Sequence, residues 1–370
     1  VLQEVGCRII VVEEAAEVLE AHIVTTLNSQ CQHLILIGDH QQLRPSPTVH
    51  KLAVDYDLEI SLFERLVNNN IPHVTLSEQH RMRPEISTYL QHIYPGLQDH
   101  PSVWRYDDIK GVKSNVFFLQ HEYAESEVDD TTSKANLHEA RFLTGLCKYF
   151  IQHEYLGSQI TVLAAYSGQV KAIREEMDLE ETLYENVRVT PIDNYQGEEN
   201  DIILISLVRS NEVNDIGFLK IDNRVCVALS RAKMGLYLIG NFQQLAVKSS
   251  LWREIVDTAQ KNKVYGIGMK MVCVNHNHVS YIVNPEDFEK EVPEGGCNKH
   301  CGAHLPCRHR CTRMCHSSDI DHETTKCMQP CLKQCPEGHP CQKDCYQECG
   351  NCEVQVLKHM PLCGHDDQVP

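Results

Sequence analysis

Short apolar runs with polar segments between them dominate the first two thirds of the chain. Runs of this length and composition are typical of strands buried in a parallel sheet. The predicted strands are Arg8–Val12, His33–Gly38, Asn115–Leu119, the run that opens Ile160–Gln169, Ile202–Val208 and Gly235–Ile239. Apolar residues three or four apart between Asn136 and Gln152 predict a helix that packs on the sheet, and Leu62–Val67 and Phe242–Gln260 are predicted as further helices. The pattern therefore predicts an α/β protein.

Three changes in the pattern divide the chain. Asn68–Pro72 is rich in turn-forming residues, the strand pattern stops after Asn241, and cysteines accumulate from Cys297 onward. We predict a first domain over 1–72, a second over 73–248, a helix and linker over 249–296, and a cysteine-rich region over 297–370. With 370 residues, of which 42% are hydrophobic, the chain is long enough for two or three domains.

Charge and hydropathy limit the kinds of partner that the chain can bind. The formal net charge of −17 argues against binding a polyanion through overall charge, so any nucleic-acid groove must be locally positive. No apolar run reaches the roughly 20 residues of a membrane span, and no signal peptide opens the chain.

Carboxylates follow the first predicted strand. Glu13 and Glu14 lie at its carboxyl end, where nucleotide sites form in doubly wound folds. One carboxylate there can hold Mg²⁺ through water while its neighbour polarises an attacking water. Two solvated acids that open a helix are the alternative, since acidic residues favour helix N-termini.

Cysteines are concentrated near the carboxyl end: 13 of the 18 lie between Cys297 and Cys363. Next to scattered cysteines and a predicted nucleotide site, this block favours a zinc module over disulfides, and metal binding must supply its folding energy because apolar residues are sparse. The predicted ligands form two units, Cys297, Cys301, Cys307, His309, Cys311, Cys315 and His316, then Cys327, Cys331, Cys335, His339, Cys341, Cys345, Cys349 and Cys352. Leu362–His365 begins a third unit. Which four residues share an ion is left open, and Cys273 with His276 is either half a metal site or an unrelated pair.

Several motifs together resemble those of superfamily 1 helicases, most closely the up-frameshift-like RNA and DNA helicases. Glu13–Ala16 resembles the second motif, Gly38–Pro45 the third, Leu76–Pro84 the segment that opens the second domain, and Ile160–Gln169 the fourth. The fifth and sixth motifs are matched by Asp193, Gln196, Gly197 and Glu199, followed by Asn223, Ala228, Ser230, Arg231, Ala232 and Lys233. The resemblance implies two RecA-like parallel-sheet domains, the first truncated, with an irregular cysteine-rich module after them.

The resemblance also implies roles for single residues. It places ATP and Mg²⁺ between the two domains, with Glu13 on the magnesium, Glu14 as base, Gln42 coupling the γ-phosphate to the nucleic acid, and Arg81 and Arg231 as cationic fingers. Asp39, Gln79, Gly197 and Glu199 would contact the nucleotide or transmit its state. For Arg81 the alternative is capping of a nearby helix, and Tyr166 either stacks on a base or serves in packing.

The cysteine spacing resembles the zinc fingers named after the X-box-binding nuclear transcription factor. That resemblance implies Zn²⁺ and leaves open a nucleic-acid surface, a ubiquitin-ligase activity or a protein-interaction platform. From Cys297 onward eight Lys and Arg face nine Asp and Glu, so no basic surface is evident.

The combined resemblance implies ATP-dependent binding and remodelling of RNA, single- or double-stranded, in RNA silencing, small-RNA-linked heterochromatin or antiviral RNA sensing. It implies an intracellular protein, in cytoplasmic RNA granules or the nucleus, with DNA as the alternative substrate and protein partners for the zinc region. The chain lacks Gly-x-x-x-x-Gly-Lys-Ser/Thr, so we expect that loop to precede Val1 in a longer protein and this chain alone to hydrolyse ATP poorly. The alternatives are an RNA clamp without turnover and a ubiquitin-ligase or transcription-regulating module led by the cysteine-rich region.

Overall fold

The first part of the chain contains a small parallel sheet. The computed structural model describes residues 6–47, 49–128, 133–336, 338–352, 354–359, 364 and 366–369. Strands β1 (Ile9–Val12) and β2 (His33–Leu36) pair in parallel and are connected through helix α1 (Glu20–Thr26). Helices α2 (His50–Tyr56) and α3 (Leu62–Asn68) follow, and the Ser61 hydroxyl caps α3 by accepting a hydrogen bond from the Glu64 amide.

A segment of short elements leads into the second domain. In chain order these are β3 (Glu78–Gln79), α4 (Pro84–Ser87), β4 (Gln98–Asp99), β5 (Val116–Gln120), β6 (Ser126–Glu127) and β7 (Lys134–Ala135). Short 3₁₀ helices cover Leu90–His92 and Pro101–Arg105. β3 pairs with β4 in parallel, and β6 with β7 in antiparallel.

The second domain is built on a six-stranded parallel sheet in the order β12-β5-β11-β10-β8-β9. Its remaining elements are α5 (Leu137–Gln152), β8 (Ile160–Ala164), α6 (Ser167–Asp178), β9 (Arg188–Pro191), β10 (Asn200–Ser206), α7 (Asp222–Leu229), β11 (Ala232–Gly240), α8 (Phe242–Lys248), α9 (Ser250–Lys261) and β12 (Tyr265–Gly266). Further 3₁₀ helices cover Gly157–Gln159, Ile192–Tyr195 and Gly217–Lys220.

Continuous apolar runs place the central strands of this sheet in the interior, because both faces are covered. In β10 the side chains of Ile203 and Ile205 belong to one buried cluster, and those of Ile202 and Leu204 to the cluster on the opposite face. The amide of Glu139 in α5 donates to the Asn136 side chain, which caps that helix.

The last hundred residues consist of hairpins and loops. They contain β13 (Met269–Cys273), β14 (His278–Ile282), α10 (Asp287–Glu291), β15 (Gly295–His300), β16 (Met314–His316), β17 (Val356–His359) and β18 (Asp366–Val369). Beyond Cys297 the described apolar core is one buried cluster of Leu305 with cysteines. Among the described residues no helix is long and apolar enough to cross a membrane.

The predicted fold class, α/β with parallel sheets and a cysteine-rich module, is confirmed, while several element boundaries differ. The strand predicted to end at Val208 ends at Ser206, because Val208 adopts φ 70°, outside the strand region. The single helix predicted over Phe242–Gln260 is two, since the Ser249 side chain caps α9. Helix α6 was not predicted, although Val170, Ile173 and Met177 carry its apolar spacing. The span predicted as a linker holds β13, β14 and α10.

Candidate nucleotide site and metal groups

Two sheet edges face each other across a cleft. The carboxyl ends of β1 and β2 supply residues from 13 to 42, and the amino ends of β10 and β11 supply Glu199 and Arg231. Several hydrogen bonds cross the cleft. Among them are Gln196 Nε2 to Glu14 Oε2 at 3.0 Å, the Leu43 amide to Gln196 Oε1 at 3.0 Å, Arg231 Nη2 to Gln42 Oε1 at 3.1 Å, and Asn223 Nδ2 to the His40 carbonyl at 2.9 Å. The sequence-predicted residues of the two domains therefore meet at one place.

The end of β1 turns sharply at Glu14, whose φ is 50°. The Ala15 amide donates to the Ile37 carbonyl at 2.8 Å, which brings the ends of β1 and β2 together. A Cβ at Gly38 would lie 2.8 Å from the Ala16 nitrogen, so only glycine fits there. Glu13 and Glu14 are both exposed at this turn, so a hydrated cation can approach them.

Asp39 and Gln42 form a polar cluster after β2. Gln42 Nε2 donates to Asp39 Oδ2 at 3.0 Å, and the Tyr94 hydroxyl donates to the same oxygen at 2.6 Å. Burial raises the pKa of Tyr94, and the neighbouring Cys226 and Asp39 act in the same direction. Tyr94 therefore stays protonated and serves as a hydrogen-bond donor that fixes Asp39.

Arg81 reaches the cleft from the loop between β3 and α4. Its Nε donates to Glu199 Oε2 at 2.5 Å and its Nη1 to the Ser230 carbonyl at 3.1 Å. Gln79 accepts from the amides of Arg81 and Met82 at 2.9 and 2.8 Å, while its Nε2 donates to Asp99 at 2.6 Å. In this structure Gln79 thus shapes the turn that presents Arg81, whereas the sequence motif suggested a contact with the nucleotide.

Glu199 is shared by two cations. Lys233 Nζ lies 2.9 Å from its Oε1, and Arg81 lies on its other oxygen. The hydrogen bond from Lys233, followed by the one from Arg81, lowers the pKa of Glu199. Lys233 was absent from the predicted site residues, although its position two residues after Arg231 in the same motif was a signal for it.

Arg231 is almost fully enclosed, with 1% of its surface exposed. Its guanidinium donates to the Val227 carbonyl at 3.1 Å, the Glu198 carbonyl at 3.3 Å and the Ser230 hydroxyl at 2.7 Å. Burial, and next the charge of Arg81, lowers the pKa of Arg231 to about 10, so it remains a cation at neutral pH. A preoriented buried guanidinium suits a fixed position on a phosphate.

Gly197 leaves the middle of the cleft open. Its φ is 75°, and the nearest atom to a Cβ built there is Glu14 Oε1 at 3.9 Å. The cleft therefore has carboxylates on one side, two guanidinium groups on the other and a glycine between them. Carboxylate oxygens can bind magnesium, and guanidinium groups can bind phosphate, so these residues fit a magnesium–nucleotide complex.

Cysteine and histidine side chains gather into compact groups in the carboxyl part of the chain. In each group the candidate ligand atoms lie within 4.8 Å of one another. Five of these groups are Cys273, His276, Cys297 and Cys315; Cys301, Cys311, His316 and His322; Cys307, His309, Cys327 and Cys345; Cys331, Cys341 and Cys349; and Cys335, His339 and Cys352. All fifteen predicted metal ligands fall into these groups.

The groups are interleaved along the chain, which is why spacing did not reveal them. Adjacent residues such as Cys315 and His316 belong to different groups, and His322, outside the predicted set, completes the second. Cys363 and His365, predicted to begin a third unit, lie outside the described residues. Sulfur and imidazole ligands without carboxylates fit Zn²⁺ in preference to Mg²⁺ or Ca²⁺.

Comparisons with known proteins identify relatives of both the sheet domains and the cysteine-rich region. Profiles of the AAA domain match residues 1–51 and 58–243. "NFX1-type zinc finger-containing protein 1" of Homo sapiens is 54% identical over 373 residues, which cover 100% of this chain and 19% of the relative. The chain thus spans about a fifth of that relative's length.

Two further relatives match the helicase part. "Helicase required for RNAi-mediated heterochromatin assembly 1" of Schizosaccharomyces pombe is 36% identical over 78% of this chain and 29% of its own length. "Regulator of nonsense transcripts 1" of Caenorhabditis elegans is 33% identical over 69% of this chain and 25% of its own length. Taken with the profile matches, these similarities show that the chain belongs to the AAA-domain family of superfamily 1, up-frameshift-like helicases.

Proposed function

We propose that this chain supplies part of the motor of an ATP-dependent RNA helicase or translocase. The observation that carries the proposal is the pair of contacts across the cleft, Arg231 with Gln42 and Gln196 with Glu14. They connect the two domains through side chains that a bound nucleotide would displace or engage. Nucleotide binding and release would therefore change how the domains sit against each other, which is what stepwise movement on a strand requires.

The proposed roles follow the charges of the cleft. Glu13 would hold the hydrated magnesium, and Glu14 would accept a proton from the attacking water. Arg81 and Arg231 stabilise charge on the transferred phosphoryl group. Gln42, which touches both Asp39 and Arg231, connects the phosphate side to the rest of the cleft. Glu199 neutralises Arg81 and Lys233 until phosphate oxygens replace it.

RNA as the substrate is supported by the relatives, whose names refer to RNAi and to nonsense transcripts. The same names favour work on transcripts or in RNAi-mediated heterochromatin assembly. The net charge of −17 means that RNA contact depends on local positive groups and not on overall attraction. We further propose that the cysteine-rich groups bind Zn²⁺ and present a surface to protein partners.

ATP turnover depends on a phosphate-binding loop that this sequence does not contain. We therefore propose that the chain by itself hydrolyses ATP slowly or not at all. The test uses a protein that carries this sequence together with a Gly-x-x-x-x-Gly-Lys-Ser/Thr loop. RNA-stimulated ATP hydrolysis is compared between the unmodified protein, Glu14→Gln and Arg81→Gln.

We expect each substitution to lower stimulated turnover by about 10³-fold or more, because each removes a group that acts on the reacting phosphate. Arg141→Gln is the matched control, since Arg141 makes an exposed ion pair with Glu176, 3.1 Å away and outside the cleft. Full turnover in both cleft variants would reject the proposed roles. RNA binding that depends on nucleotide, with no turnover in any version, would instead support the clamp.

A further inference from the structure

One of the cysteine and histidine groups differs from the others in where its members come from. Cys273 ends β13 and His276 lies in the turn that follows, whereas Cys297 is in β15 and Cys315 in β16. The other four groups named above lie wholly within residues 301–352. This group, here called the junction group, therefore joins the hairpin β13–β14 to the cysteine-rich module.

The spacing of the junction group matches four ligands around one ion. Nδ1 of His276 lies 3.6, 3.4 and 3.4 Å from the sulfurs of Cys273, Cys297 and Cys315, and the sulfurs of Cys273 and Cys315 are 3.6 Å apart. With Zn–S bonds of about 2.3 Å and Zn–N bonds of about 2.0–2.1 Å, neighbouring ligands of a tetrahedral zinc lie roughly 3.3–3.8 Å apart. The observed distances fall in that range.

The donors also suit zinc by type and setting. Three sulfurs and one imidazole make a complete set of four, as in structural zinc sites with no place left for water. Cys273, Cys297 and Cys315 are buried, so their sulfurs do not face solvent. Asn275 Nδ2 lies 3.4 Å from the Cys315 sulfur and can donate a hydrogen bond to a thiolate there.

The hairpin side of the junction group is part of the sheet domain. The Val272 amide donates to the Gly111 carbonyl at 2.7 Å, and the Lys113 amide donates to the Lys270 carbonyl at 3.1 Å. Met271 and Ile282 are members of the buried cluster on one face of the six-stranded sheet. Cys273 and His276 are thus held by the helicase domain itself.

The module side is attached to the same domain at a second place. The Ser317 hydroxyl donates to the Gln152 carbonyl at 2.7 Å, and Gln152 Nε2 donates to the Pro293 carbonyl at 2.9 Å. A Cβ at Gly296 would lie 2.2 Å from the Cys315 carbonyl oxygen, so the two strands that carry Cys297 and Cys315 approach closely at a glycine.

We propose that Cys273, His276, Cys297 and Cys315 bind one Zn²⁺ that fixes the cysteine-rich module to the second helicase domain. Because His316 belongs to the next group, this ion also sets the position of the second site. The module is then a rigid extension of the motor domain and not a separate unit on a linker. The proposal rests on the zinc binding proposed above for the cysteine-rich groups and does not depend on ATP hydrolysis.

The experiment uses this chain, purified with its zinc, and variants at the exposed ligand His276. Native mass spectrometry counts zinc ions, and amide hydrogen exchange follows 269–282 and 295–300. We expect His276→Ala to lose one zinc and to raise exchange in both segments. His276→Cys should retain the zinc count, because a thiolate can replace the imidazole.

Cys352→Ser is the matched control, since Cys352 belongs to a group far along the module. It should leave exchange in 269–282 and 295–300 unchanged. Substitution by Co²⁺ gives a second readout, in which the visible absorption of the junction ion shifts in His276→Cys. An unchanged zinc count in His276→Ala, or a His276→Cys protein that behaves like His276→Ala, would overturn the proposal.

Discussion

The two arginines of the cleft, Arg231 and Arg81, are held in different ways. Arg231 donates hydrogen bonds to the Val227 and Glu198 carbonyls and to the Ser230 hydroxyl, so its position is fixed before any ligand arrives. Arg81 is paired with Glu199 and is partly exposed, so it must exchange that carboxylate for a phosphate. Arg231 therefore needs little reorganisation during the reaction. Arg81 changes its partner when nucleotide binds, so its position depends on whether nucleotide is present.

The partly buried His138 links stability to pH. His138 stacks on Tyr123 with ring centroids 3.8 Å apart, and its Nε2 is buried without a hydrogen-bond partner in the described part of the chain. Burial, and next the nearby His121, lowers the pKa of His138 to about 4. Since its unfolded pKa is near 6.5, the unfolded chain takes up a proton first as pH falls.

We therefore predict that His138 contributes stability fully above about pH 6.5 and that this contribution is lost as pH falls toward 4. Replacing it by phenylalanine removes that loss. Between pH 7.5 and pH 5, His138→Phe should gain on the order of 1 kcal/mol in unfolding free energy relative to the unmodified chain. Urea unfolding at the two pH values measures the difference.

The exposed His22 offers a comparison, because His22→Gln should leave the pH dependence unchanged. Equal pH dependence in His138→Phe and the unmodified chain would contradict the prediction.

At the scale of elements, both strands of the small sheet and the four central strands of the large one could be predicted, because each is a continuous apolar run. The edge strands β9 and β12 were not predicted, because Arg188–Pro191 contains polar residues and Tyr265–Gly266 is only two residues long. The motif residues at the ends of β1, β2, β10 and β11 then follow, since parallel strands bring like ends to one edge. What could not be predicted is the pairing between distant segments. Gln196 forms hydrogen bonds to both Glu14 and Leu43, and no periodic pattern in the sequence indicates either bond.

The metal groups were unpredictable for a related reason. Cys307 and His309 share a group with Cys345, almost forty residues later, while cysteines nearer in sequence belong elsewhere. Ligand identity was visible in composition, but grouping depends on loops whose shape is set by the ions. Cys273 and His276 looked isolated because their partners come from another hairpin.

The predicted boundary between the two helicase domains lies in an exposed segment. Val74 and Leu76 are 91% and 88% exposed, and the backbone of 72–76 makes no hydrogen bond within the described chain. We predict that thermolysin, which cuts before large apolar residues, cleaves first at Val74 or Leu76 under native conditions. Mass spectrometry of the early products identifies the cut.

The double variant Val74→Ser and Leu76→Ser should be cut more slowly and at other places. Leu156 is also exposed, yet its amide donates to the Gln159 side chain at 3.0 Å, so it should be cut later. A first cut inside β10 or β11 would show that the connection is protected and the prediction wrong.

At the scale of the whole molecule, two sources of stability are combined, namely apolar burial and metal binding. The second domain has extensive apolar clusters on both faces of its sheet, whereas the described part of the module beyond Cys297 has one small cluster of Leu305 with cysteines. Apolar burial stabilises the first, and metal binding must stabilise the second. The two regions should therefore respond differently when metal is removed.

We predict that a strong zinc chelator raises amide exchange throughout 301–352 and leaves 200–206 and 232–240 protected. The reason is that the central strands bury their side chains against helices on both faces and need no ion for that. Hydrogen exchange measured by mass spectrometry, before and after chelation, reads both regions in one sample. Restoring zinc should restore protection in 301–352, which separates metal loss from irreversible damage. If exchange rises equally in β10 and β11, then the ions stabilise the whole chain and the division of folding energy proposed for this molecule fails.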